Sequence, residues 1–143
     1  MHNNFYLLRK LTEELKPLFV NAVVSECFSQ QKDELVLRCE QGTQSRYIRA
    51  YLQPSFSCLS FPDVFHRARK NSVDLFGEII GSRITGIRQF ENERSFCLTF
   101  DSGFQLLFKM HGNRSNLALF KNEVAYSLFK NNLAADWQIR LPD

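Results

Sequence analysis

The feature that most constrains this chain is a pattern of short apolar runs that occurs twice. Moving the first half forward by 61 positions lays Val23 on Ile84, Leu35 on Phe96, Leu37 on Leu98, Glu40 on Asp101 and Gly42 on Gly103. Beyond a two-residue slip the shift is 59, which lays Ile48 on Leu107, Tyr51 on Met110, Ser57 on Asn116 and Phe61 on Phe120. Each half reads as a helical segment followed by four strands with matching turns, a duplicated unit. Four strands with a single apolar face must bury that face against another layer to stand in water. Two such sheets packed together, with helices closing the open ends, give an antiparallel β-sandwich of the α+β class.

The elements follow from periodicity. Phe5, Leu8, Leu11, Leu15 and Phe19 recur at helical spacing, and Pro17 predicts where that helix stops. Strand-like runs cover 22–28, 34–39, 47–51 and 57–61 in the first half, and 83–90, 95–100, 104–110 and 116–120 in the second. Between the halves, Asn71 or Ser72 caps a second predicted helix. Val73, Phe76, Ile79 and Ile80 line one face of it and Gly81 ends it. The tail from Ala125 to Trp137 is predicted to be partly helical.

At 143 residues the chain has room for one domain, with halves at about 3–61 and 72–120. Its 14 phenylalanines against 1 tryptophan suit sheets packed face to face. Cys27, Cys39, Cys58 and Cys97 form no CxxC pair and have no histidine cluster beside them, so neither a metal nor another cofactor is expected. Thiols without a disulfide framework point to a reducing cytoplasm. No basic-then-apolar leader and no apolar run near ~18 residues supports secretion or membrane insertion.

Charge is distributed unevenly. Residues 1–45 carry five basic and six acidic groups, whereas residues 46–114 carry ten basic against six acidic, a surplus of four. That surplus is mostly arginine, the side chain best suited to phosphate and to stacking on bases. Three segments concentrate polar chemistry. The first is the basic run His66–Asn71, with Arg67, Arg69 and Lys70. The second is the turn Glu91–Arg94, where Glu93 stands beside Arg94 and Arg88 lies one strand turn earlier. The third is the hairpin turn His111, Gly112, Asn113, Arg114, Ser115 and Asn116, set between two apolar runs. In the duplicated frame these last two turns correspond to Gln30–Asp33 and Gln53–Phe56, whose chemistry differs. One copy therefore reads as structural and the other as specialised. Against this stands a plainer reading, in which Asn and Gly are ordinary turn residues and the charges are solvated strand faces.

For catalysis the chain offers little. It has no glycine-rich phosphate loop, no HExxH and no GxSxG.

The ordered set of segments resembles the N-terminal domain of the NFACT family, whose members have been called fibronectin-binding protein A-like and include ribosome quality-control factors. The likeness rests on the opening helix Phe5 to Leu15, the strand Asp33–Leu37, the exit Gly81–Ile84, the turn Gln89–Arg94 and the hairpin His111–Asn116 followed by Leu-Ala-Leu-Phe. It implies a fold similar to the N-terminal domain of formamidopyrimidine-DNA glycosylases. It also implies attachment to large ribosomal subunits that carry a stalled peptidyl-tRNA, with recruitment of tRNA. An acidic-arginine pair linked to tRNA in the family matches Glu93 and Arg94, with Glu in place of Asp. The family's acidic residue after the initiator Met is replaced by Asn3 or Asn4. Its Arg-Lys pair in the second helix has no match at Leu75–Glu78. Members continue into further domains, so the resemblance makes this chain one domain of a longer protein.

Two functions follow as expectations. One is a tRNA- and rRNA-binding module, with Arg88, Glu93, Arg94, His111, Asn113, Arg114, Asn116, Arg67, Arg69 and Lys70 as contacts. The alternative is a non-catalytic structural or protein-interaction domain. A glycosylase is disfavoured because Met1 is followed by His2 rather than by the N-terminal proline nucleophile. An adhesin is disfavoured by the lack of a leader.

Overall fold

A computed structural model describes residues 5–53, 56–90, 95–110, 115–130 and 133–139. Helix α1 spans Phe5–Phe19. Strands β1 (Val23–Ser29), β2 (Glu34–Gln41), β3 (Gln44–Gln53), β4 (Phe56–Ser60) and β5 (Val73–Asp74) form the first sheet, in the order β4-β3-β2-β1-β5. Strands β6 (Ile84–Phe90), β7 (Ser95–Phe100), β8 (Phe104–Lys109), β9 (Asn116–Lys121) and β10 (Val124–Leu128) form the second, in the order β10-β9-β8-β7-β6. Every pairing is antiparallel.

One core lies between the sheets. Alternate residues Leu35, Leu37 and Cys39 of β2 and Ile48, Ala50 and Leu52 of β3 face Phe96, Leu98 and Phe100 of β7, Leu106 and Phe108 of β8, and Met110 just beyond it. Phe96 and Phe108 stack at 4.6 Å between centroids. Leu15 and Phe19 bring α1 into this core, and Thr12 of α1 donates to Gln89 of β6 at 3.3 Å.

The predicted duplication has a counterpart in the backbone. Asn21 N–H donates to Ile84 O at 2.7 Å, and 60 residues on, Gly81 N–H donates to Val24 O at 2.8 Å. Val24 N–H donates to Ser82 O at 2.9 Å and Ile84 N–H to Ala22 O at 2.8 Å. The four bonds exchange under a shift of 60, as in a self-complementary twofold contact. A bulge follows at the same point of each half, between Val24 and Glu26 and between Ile84 and Gly86.

Several expectations need correction. The ladders pair Leu37 with Ile48 and Leu98 with Leu106, so Ile48 matches Leu106, not Leu107. Likewise Leu59 matches Leu117. The second β-hairpin is three residues shorter in this frame, and a one-residue misalignment puts side chains on the wrong face. No second α-helix forms across 71–81. Val73–Asp74 pair with Ser29 and Phe28, Leu75 N–H donates to Cys27 O at 3.0 Å, and Phe76 turns into the left-handed region at φ 48°. A 3-10 turn, Gly77–Ile79, is all that remains of helix there. Sheet pairing with β1 overrides the helical period. Helix α1 runs past Pro17 to Phe19, because a proline in the last turn forfeits one bond while the fully buried Phe19 anchors that turn. The tail contributes strand β10 before its 3-10 segment Ala134–Gln138.

Candidate nucleic-acid interface

Four neighbouring strands of the second sheet, β6 to β9, end in a row. The ladders align Phe90 with Ser95, Ser95 with Lys109, and Lys109 with Asn116. These residues anchor the two turns singled out in the sequence, 91–94 and 111–114, on one end of the sheet. The turn residues themselves, including Glu93, Arg94, His111, Asn113 and Arg114, lie outside the described residues.

Beneath that row is a buried polar network. Asn116, 1% exposed, uses its side-chain amide completely. Its Nδ2 donates to Lys130 O at 3.1 Å and to Asp136 Oδ2 at 2.9 Å, and its Oδ1 accepts from Leu117 N–H at 2.9 Å and Lys130 N–H at 2.8 Å. Asp136 also accepts from Lys109 Nζ at 2.5 Å. Lys130 crosses to the first sheet, donating to Leu52 O at 2.5 Å and pairing with Asp33 at 3.0 Å. Four bonds exhaust an amide, so Asn116 pins the hairpin base to the tail. Lys109, Lys130 and Asp136 were not singled out in the sequence. A lysine at the end of an apolar hairpin strand was the available signal.

The remaining candidates are not brought together. Arg88 pairs across the ladder with Cys97 and lies 5.1 Å over the Phe90 ring, on the outer face of the second sheet. Arg67 lies on the outer face of the first sheet, 4.3 Å over the Phe28 ring. It donates to Ser72 at 2.6 Å and pairs with Glu26 at 3.2 Å and Asp74 at 2.7 Å. The Asp74 hydrogen bond, ahead of that to Glu26, holds its pKa above the ordinary arginine value. Arg67 thus clamps its own loop. Arg69 and Lys70 are exposed on that same loop, across the sandwich from Arg88.

The outer face of the first sheet carries the densest charge. Glu34, fully buried, accepts from Arg49 Nε at 2.6 Å. Arg49 also donates to the Tyr51 hydroxyl and lies 5.6 Å over the Phe65 ring. Arg38 pairs with Glu26 at 3.4 Å and Glu40 at 3.3 Å. The outer face of the second sheet is apolar. Cys97, Leu107, Ala118, Phe120 and Leu128 pack there with Phe90, Ala125 and Ile139, so this sheet is buried on both faces rather than one. Burial pushes the thiols of Cys39 and Cys97 up to about 12 and that of Cys27 further still. Among the described residues, no group of three or more His, Cys, Asp and Glu is placed to hold a metal ion, and no helix is long and apolar enough to cross a membrane.

Two antiparallel five-stranded sheets, one closing helix and a pinned loop end define a β-rich scaffold. The chain shares that scaffold with the N-terminal domains of bacterial fibronectin- and fibrinogen-binding proteins. The N-terminal domain of fibronectin-binding protein PavA from Streptococcus pneumoniae matches with a TM-score of 0.78 at 20% identity, over 90% of this chain and 54% of that one. The fibrinogen-binding protein from Staphylococcus aureus matches at 0.76 and 19%, over 91% and 51%. The N-terminal part of the fibronectin/fibrinogen-binding protein from Streptococcus suis matches at 0.75 and 20%, over 96% and 57%. The chain thus spans little more than half of each solved chain. No family model and no curated protein matches the sequence.

Proposed function

We propose that the chain is a non-catalytic RNA-binding module that meets tRNA or ribosomal RNA with the turn-bearing end of its second sheet. The observation that carries this reading is the alignment of Phe90, Ser95, Lys109 and Asn116 across the sheet end. Two polar turns, Glu91–Arg94 and His111–Arg114, follow from that row and carry an arginine and an asparagine each. Polar turns at one sheet end suit phosphate and base contacts made side by side, as single-stranded or looped RNA requires. The resemblance to the NFACT N-terminal domain supports the same partner, the stalled large subunit with its peptidyl-tRNA, and a cytoplasmic setting. The proposed contact set leaves out Arg67 and Asn116, whose polar groups are engaged in internal bonds.

Ultraviolet cross-linking of tRNA to the protein, read by mass spectrometry, tests this. Cross-links are expected at 88–95 and 109–116. Cross-links confined to 62–72 would refute the assignment. A second reading, a protein-binding module, draws on the solved proteins of the same fold, which are described as fibronectin- and fibrinogen-binding. Retention of fibronectin by the domain, with no cross-link to tRNA, would establish it instead.

A further inference from the structure

The end of the sandwich that carries the second sheet's turns also carries a turn of the first sheet. Lys130 links the two. Its backbone N–H and C=O are held by the Asn116 amide at 2.8 and 3.1 Å, which places it at the base of the 111–114 hairpin. Its Nζ reaches the other sheet, donating to Leu52 O at 2.5 Å and pairing with Asp33 Oδ1 at 3.0 Å. Asp33 belongs to the turn between β1 and β2. That turn therefore lies within one lysine side chain of the hairpin base. Residues 30–33 are the first-half counterpart of 91–94, so each half sends the same turn to this end.

The turn is held by its own bonds. Asp33 takes the left-handed conformation at φ 65°, and its carbonyl accepts from Leu52 N–H at 2.7 Å. Gln31 O accepts from Glu34 N–H at 3.3 Å and from the Ser29 hydroxyl at 2.9 Å. Gln30 Oε1 accepts from Ala68 N–H at 2.8 Å. Ala68 lies in the strap of residues 61–72, which runs from β4 to β5 over the outer face of the first sheet. Gln30 and Asp33 are thus engaged internally, while Gln31 and Lys32 stand exposed at the tip.

Charge at this end suits an anion. Asp33 is matched by Lys130, Asp136 by Lys109 at 2.5 Å and Glu34 by Arg49 at 2.6 Å. With these three carboxylates neutralised, Lys32 leaves the turn with an unbalanced positive charge. An ammonium on a long stem suits a phosphate oxygen. An exposed lysine is by itself an ordinary solvated charge. Lys32 differs in its place, on a bonded turn beside the hairpin base.

We propose that the RNA surface runs across both sheets at this end, with Lys32 as a further phosphate contact and Gln31 beside it. The inference rests on the RNA reading above and widens it from one sheet to two. RNA seated on the 111–114 hairpin meets Lys32 across the gap that Lys130 spans, so turns from both halves grip one strand or loop.

Filter binding of unfractionated tRNA to the full chain over a salt series tests this. Loss of one phosphate contact in Lys32→Ala should lower the slope of log K against log salt by about 0.7–0.9, and weaken binding roughly fivefold at about 0.1 M salt. Lys32→Arg should keep the slope of the unaltered protein. An unchanged slope in Lys32→Ala, beside a reduced one in Arg94→Ala/Arg114→Ala, overturns the inference and leaves the RNA reading in place. No tRNA binding by the unaltered protein overturns both. On the unaltered protein, ultraviolet cross-links to tRNA should include Gln31 or Lys32 as well as 109–116. Cross-links at 88–95 and 109–116 with none at 30–32 overturn the inference even where Lys32→Ala does not fold.

Discussion

Asn21 and Gly81 hold the same conformation 60 residues apart, with φ of 77° and 85°, and each donates its N–H to the other half of the molecule. Asn21 follows the last turn of α1, and Gly81 follows the 3-10 turn that stands where a second helix was predicted. The two sheets are thus joined by one backbone clasp, and its corners must be left-handed.

Substitutions at these corners should therefore be unequal. A Cβ at Gly81 would meet nothing within 4 Å, so Gly81→Ala is a purely backbone change. It is expected to cost about 1–2 kcal/mol from left-handed strain. Asn21→Gly should stay within about 0.5 kcal/mol, because asparagine already tolerates this region. Urea unfolding of the two variants measures the difference.

The network under the sheet end should be sensitive to removal of one member. Lys109 and Asp136 are 12% and 5% exposed at their side chains. Asp136→Ala strands a buried ammonium and leaves one of the two Asn116 Nδ2 protons unmatched, at a cost of about 3–5 kcal/mol. Asn116→Ala should cost at least about 2 kcal/mol by orphaning the Lys130 backbone. The double variant should fall well short of the sum in thermal unfolding, because the groups are coupled.

On the other sheet, a buried carboxylate depends on a half-buried arginine. Arg49→Leu leaves the fully buried Glu34 carboxylate without its cation. The expected loss is about 3–5 kcal/mol. Glu34→Gln in the same background should recover most of it by removing the charge. Chemical denaturation of the single and double variants gives the answer.

The thiols set an alkaline limit. Cys39 and Cys97 are raised by burial from 9.0 to about 12, with the Arg88 charge opposing the rise at Cys97. A raised folded pKa gives stability that is complete below the unfolded value and is lost as pH climbs toward the folded one. Stability should thus fall between about pH 9 and 12, and less steeply in Cys39→Ala/Cys97→Ala. Iodoacetamide at pH 8 should leave Cys27, Cys39 and Cys97 unmodified until the protein unfolds.

Much of the fold was legible in the sequence, because alternation and matching turns locate eight of the ten strands. Strand β5 was hidden because Val73 and Asp74 sit in a window with helical spacing, and only pairing with Phe28 and Ser29 makes them a strand. Strand β10 was hidden because Val124 and Tyr126 are exposed and its partner β9 alone defines it. The site was less legible. Asn116 and Arg67 are the residue types that contact RNA, but burial and ion pairing decide whether such groups are free. Neither property is local to the sequence.

The central claim is that RNA meets the turn end of the second sheet, whereas the basic strap across the first sheet serves the protein itself. The most direct measurement is tRNA affinity as a function of salt for Arg94→Ala/Arg114→Ala and for Arg69→Ala/Lys70→Ala. Two lost phosphate contacts should lower the slope of log K against log salt by about 1.5–2 in the first variant and leave it unchanged in the second. An unchanged slope in the first with a reduced slope in the second, or no tRNA binding by the unaltered protein, would contradict the account.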